Sequence, residues 1–110
     1  MKPLRVTGHS IACAAGVGQQ ALVTALQARA SGLRPNDFSE YPLATWIGRV
    51  AGVEDVRLPD HLMEWDCRNN RLAWLALNAD GFLERAAAAR SRYGADRVAL
   101  IVGTSTSSIG

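Results

Sequence analysis

The sequence predicts an α/β chain, and three observations carry that expectation. A short β-favouring segment, Leu4-Arg5-Val6-Thr7, stands before Gly8. Apolar residues recur at helical spacing in two windows, 19–30 and 69–92. A continuous apolar run, Arg97-Val98-Ala99-Leu100-Ile101-Val102, is closed by Gly103 and has the character of a parallel strand covered on both faces.

Taken in order, the strand near the N-terminus gives way to small residues from Gly8 to Gly18, which suit a loop packed tightly against other backbone. Leu22, Ala25, Leu26 and Arg29 then fall at i, i+3, i+4 and i+7, and Ser31-Gly32 is the expected stop of that helix. Between Leu33 and Cys67 regularity is lost: Pro35, Pro42 and Pro59 interrupt each window, and Asn36-Asp37 and Pro59-Asp60 have turn chemistry. Within this stretch residues 44–50 suit one extended segment, and Trp46 and Trp65 are expected to cover the core. Irregular excursions of this length usually cap a site or meet a partner.

The longest element spans 69–92, where Leu72, Leu75, Ala76, Ala79, Phe82, Leu83 and Ala86 keep one helical phase. Asp66 is the expected N-cap or first-turn acid and Gly94 the stop. The alanines at 73, 76, 79 and 86–89 predict burial on more than one side, and Gly81 predicts a close backbone contact. Asp66, Arg68 and Arg71 form a charged helix start suited to ion pairing.

The chain has 110 residues, 48% hydrophobic and 20% charged, with a formal charge of +2. This is globular composition with one modest core, expected to bury roughly two-thirds of the unfolded surface. The dispersed, nearly balanced charge gives no reason to expect nucleic acid or a membrane surface as partner. No apolar stretch approaches the ~20 residues of a membrane helix, and no apolar segment follows the early charges as a secretory signal requires. Cytoplasmic residence is the expectation, with Cys13 and Cys67 as free thiols. A two-face-covered strand needs neighbours that one short strand and two helices do not supply, so the pattern resembles the opening of a larger domain.

Several familiar motifs fail on inspection. Gly16-x-Gly18 after a strand invites a dinucleotide fingerprint, but Ala12 and Ala14 occupy positions where the turn needs glycine. Gly103-Thr104-Ser105-Thr106-Ser107 lacks the second glycine of a nucleophile elbow, and no Gly-Lys-Ser/Thr follows to cradle phosphate. His9, His61, Cys13 and Cys67 show no metal-ligand spacing, so no metal and no cofactor is expected.

The ordered set of features nevertheless resembles one family. Val6-Thr7-Gly8, the small residues to Gly16-x-Gly18, Ala30-Ser31-Gly32-Leu33, Gly48-Arg49-Val50, and residues 92–108 are similar to the opening of β-ketoacyl-acyl carrier protein synthases. Arg68-Asn69-Asn70-Arg71-Leu72 with the Gly-Thr-Ser-Thr-Ser loop looks more like ketosynthases of specialised polyene-type pathways. The resemblance implies the N-terminal portion of a thiolase-like fold, with residues 4–8 and 97–103 as adjacent parallel strands and residues 1–110 a partial domain. It implies decarboxylative condensation of an acyl thioester with malonyl-carrier protein, in fatty acid or polyketide synthesis. The acyl carrier protein and the remainder of the synthase are the implied partners, in a homodimer or a ketosynthase heterodimer.

The family's nucleophilic cysteine and its two histidines belong to motifs that Cys13, Cys67, His9 and His61 do not match, so no catalytic role is carried onto this chain. What carries over is the loop after the second strand, where Thr106, Ser107, Ser108 and Ile109 would shape the acyl channel. A non-catalytic partner subunit of chain-length-factor type, and a stand-alone small interaction domain, are the alternatives.

Overall fold

The computed structural model describes residue 3, residues 5–37 and residues 43–99. Their architecture mixes helices with small antiparallel sheets. Strands β1 (Ala12–Cys13) and β2 (Gly16–Val17) form a minimal hairpin, followed by helix α1 (Gln19–Gln27). Strands β3 (Leu33–Pro35) and β4 (Trp46–Gly48) pair antiparallel, with Leu33 opposite Gly48 and Pro35 opposite Trp46. A 3-10 turn at Asp60–Trp65 leads into helices α2 (Arg68–Asn78) and α3 (Phe82–Tyr93).

The small residues near the N-terminus allow backbone to meet backbone. A Cβ on Gly32 would lie 2.4 Å from the carbonyl carbon of Ala14, and one on Gly48 would lie 3.0 Å from the Ala14 Cβ. The β3–β4 pair therefore seats directly on the Ala14-Ala15 turn. This is the tight packing expected of the 8–18 segment, and residues 46–48 form the extended stretch expected there.

Helix α1 stops earlier than Ser31-Gly32. Arg29 takes the left-handed conformation (φ 51), while the Ala30 N–H reaches the Ala25 carbonyl at 2.9 Å and the Arg29 N–H reaches Leu26 at 3.1 Å. Those two bonds complete a Schellman cap with arginine where glycine usually stands. Helix α3 ends as expected at Gly94 (φ 90), and Glu84 in its first turn and Arg90 and Arg92 in its last suit the helix dipole.

Several expectations are corrected. The single helix 69–92 is broken at Ala79–Gly81, where Asp80 (φ 56) and Gly81 (φ 66) are both left-handed. Gly81 thus serves backbone conformation rather than close approach: the nearest atom to its missing Cβ is on the Arg85 side chain, 3.6 Å away. Residues 5–8 are irregular chain outside any ladder, not a strand, and the pairings among the described residues are antiparallel rather than parallel. Arg97 lies in a 3-10 turn and Val98 and Ala99 in irregular chain; the remainder of the 97–103 strand falls outside the described residues. Asp66 precedes the N-cap, which is Cys67, and Trp46 and Trp65 are exposed rather than core. Ala73 and Ala86–Ala88 are exposed too, so the alanine-rich helix is not buried on several sides.

Burial falls short of the two-thirds expected from length. Among the described residues Val53, Leu58 and Ala79 form the buried apolar set. The accessible surface is 9251 Å², against about 5,900 Å² for a compact monomer of this mass. The Cα radius of gyration is 16.8 Å, where about 13 Å is usual for ~110 residues.

Candidate functional site

The break between α2 and α3 creates a polar junction that ties three distant segments together. Helix α1 begins after Gly18 (φ 90), which offers no side chain to its free N–H groups. Asp80 supplies the missing acceptor: its carboxylate takes the Gln19 N–H at 2.9 and 3.1 Å. Negative charge at a helix N-terminus also meets the dipole favourably. A left-handed non-glycine residue costs on the order of 1 kcal/mol, and a cap of this kind contributes about the same.

Arg85, on the first turns of α3, fixes the junction from the other side. Its guanidinium donates to the Asp80 carbonyl and, at 3.2 Å, to the His9 carbonyl. The Gln19 side-chain amide donates to the same His9 carbonyl at 2.7 Å. Gly8 admits the guanidinium, since a Cβ there would lie 2.8 Å from the Arg85 Nε. An open cleft of about 360 Å³ follows, lined by Val6, Thr7, Gly8, His9, Gln19 and Arg85. Beside it, Thr7, Gly8 and Arg85 share a further open space of about 190 Å³ with Phe82, Ala86 and Ala89 of α3.

A second concavity, about 210 Å³, lies where the 3-10 turn meets α2 and is lined mainly by Leu58, Leu62, Trp65, Trp74 and Leu77. The start of α2 carries the expected Asp66–Arg71 ion pair, while Arg68 pairs elsewhere. Arg71 grips Asp66 through both carboxylate oxygens at 2.6 Å, and Arg68 meets Glu54 at 2.6 Å. The Arg71 bond, opposed by partial burial and aided by the guanidinium charge, holds the Asp66 carboxyl below its ordinary range. The same contact raises Arg71.

The sequence-derived channel residues Thr106, Ser107, Ser108 and Ile109 lie outside the described residues. Cys13 and Cys67 are half-buried and form no disulfide, on β1 and at the start of α2. Among the described residues no group of His, Cys, Asp and Glu is placed to hold a metal ion, and no helix is long and apolar enough to cross a membrane. The junction itself, Gln19, Asp80 and Arg85, went unread in the sequence; the Asp80-Gly81 dipeptide was its one local signal, because that pair favours turns. Chemically the junction anchors backbone and the second concavity offers an apolar surface.

Compared with known protein families, with curated proteins and with solved structures, the chain matches none.

Proposed function

We propose that this chain is the N-terminal part of a β-ketoacyl-acyl carrier protein synthase. In this reading it supplies scaffold and one wall of the acyl channel, through Thr106, Ser107, Ser108 and Ile109, while the cysteine and histidines come from elsewhere in the protein. The ordered motif set from Val6-Thr7-Gly8 to the Gly103-Thr104-Ser105-Thr106-Ser107 loop carries the proposal. The large apolar side chains left exposed among the described residues, Leu26, Leu43, Trp46 and Trp65 among them, support a role as one piece of a larger body over that of a self-sufficient interaction domain.

On this reading residues 4–8 and 97–103 become neighbouring parallel strands of a thiolase-like sheet once further strands flank them. The placement of Thr7 and Gly8 across one cleft from Phe82, Ala86 and Ala89 supports it, as a strand beneath a helix faces the helix in this way. The complete protein would be cytoplasmic and work as a homodimer or ketosynthase heterodimer. Its cysteine thiolate would take an acyl group from the carrier protein, releasing the carrier thiol. Malonyl-thioester would then lose CO2, and the resulting enolate carbon would displace the cysteine from the acyl carbonyl.

The test is enzymatic. The 110-residue chain should release no CO2 from malonyl-carrier protein, whereas the chain joined to the reading frame after Gly110 should do so and extend an acyl thioester. Turnover by the 110 residues alone overturns the proposal. An extended protein that binds a ketosynthase but has no nucleophilic cysteine identifies the non-catalytic partner subunit instead.

A further inference from the structure

We propose that Ala79–Gly81 is a two-state hinge: α2 and α3 are separate while Asp80 caps α1, and fuse into one helix over 68–93 when that cap is released. Leu72, Leu75, Ala76, Ala79, Phe82, Leu83 and Ala86 keep one helical phase straight through the break, which a permanently broken pair has no need to preserve. The ends created by the break are weakly capped: Gly81 gives the start of α3 no capping side chain, and the last turn of α2 has no basic residue, only the Asn78 amide donating to the Trp74 carbonyl at 2.7 Å. The break is therefore held mainly by the side chains of Asp80 and Arg85, which reach out of the helix pair to Gln19 and His9. Its holders are the Asp80 carboxylate on the Gln19 N–H and the Arg85 guanidinium on the Asp80 and His9 carbonyls.

The same contacts decide what the hinge couples. Arg85 can hold both carbonyls only while Gly8 and His9 lie against α3. Departure of residues 5–9 from α3 thus removes one anchor of the break and frees the His9 carbonyl for other backbone pairing. Straightening returns Asp80 to helical dihedrals and withdraws the acceptor from α1. The position of the N-terminal segment and the continuity of the helix are one equilibrium, whatever reaction the protein serves.

Spin labels on Asn69→Cys and Ser91→Cys, both exposed sites, in a Cys13→Ser, Cys67→Ser background of the full 110-residue chain measure this directly. A continuous helix puts those Cα atoms about 33 Å apart, and the broken form sets them closer. The unaltered hinge should give the short separation, and so should Asp80→Asn, which keeps a capping oxygen. Asp80→Ala should move the main population to the long separation and raise the far-ultraviolet helical signal. Arg85→Met, which leaves residues 79–81 untouched, should add a long-distance population absent from the parent. A short separation in both Asp80→Ala and Arg85→Met overturns the hinge, as does loss of helical signal in Asp80→Ala.

Discussion

The carboxylate of Asp80 caps Gln19 from 61 residues away, with both oxygens within 3.1 Å of the same backbone N–H. Helix α1 therefore takes its N-terminal support from the break between α2 and α3 rather than from its own sequence, since Gly18 contributes no side chain. Local and tertiary structure meet at this bond.

The first prediction concerns α1. Replacing Asp80 with alanine removes an acceptor worth about 1 kcal/mol, so amides in the first turn, Gln19 to Leu22, should exchange with solvent about fivefold faster. Asp80→Asn should change them much less. Hydrogen exchange resolved by residue checks this; equal protection in Asp80→Ala and the parent would show that the contact contributes nothing to the helix start.

The second concerns the other end of α1. Arg29 holds a left-handed backbone (φ 51) in a cap whose two hydrogen bonds are both made. Glycine at that position relieves a steric cost of roughly 1–2 kcal/mol while adding freedom to the unfolded chain. Arg29→Gly should therefore stabilise the protein by about 0.5–1 kcal/mol, seen as a higher urea midpoint.

A third contrast separates crowding from backbone conformation. A Cβ on Gly32 meets the backbone of Ala14 and Ala15 at 2.4–2.7 Å, and backbone cannot rotate away. Gly52 has φ +80 but nothing within 4 Å of a Cβ. Gly32→Ala should cost about 1–3 kcal/mol by overpacking, and Gly52→Ala about 1 kcal/mol from conformation alone. Urea titration of the pair should rank Gly32→Ala as the more damaging.

These sites also show where the sequence was legible. The helix at 19–27 could be read because its signal is local: Leu22, Ala25 and Leu26 carry their own period. The break at 79–81 was hinted at only by Asp80-Gly81, since the Asp80 carboxylate bonds Gln19 and no window of sequence contains both. Val6 and Thr7 favour strands, yet propensity makes no ladder without a partner, and these residues instead line an open cleft with Gln19 and Arg85. The hairpin of β1 and β2 has two residues per strand, too few to show alternation. Trp46 and Trp65 illustrate a broader difficulty: apolar residues are read as core by default, whereas here much apolar surface is left uncovered. Of the candidate sites, the charged helix start at Asp66, Arg68 and Arg71 was legible from charge spacing, and the His9–Gln19–Asp80–Arg85 junction was not.

The last prediction follows from that helix start. Asp66 is held below the ordinary carboxylate value of 3.8, mainly by the Arg71 hydrogen bonds at 2.6 Å. A carboxyl depressed in the folded state adds stability above its unfolded pKa and loses it as pH falls through the folded one. The contribution should therefore be full at neutral pH, decline below about pH 4–5 and vanish once Asp66 is protonated in both states. Arg71 is raised by the same contact and stays charged throughout this range, so Asp66 alone sets the window. Asp66→Asn should lower the urea midpoint at pH 7 and leave a flatter acid limb, with the two curves converging as Asp66 in the parent protonates. Both groups remain in reach of water, so added salt should narrow the gap at pH 7. A gap that widens toward low pH would assign the acid sensitivity to another carboxyl and leave the Asp66–Arg71 pair without energetic weight.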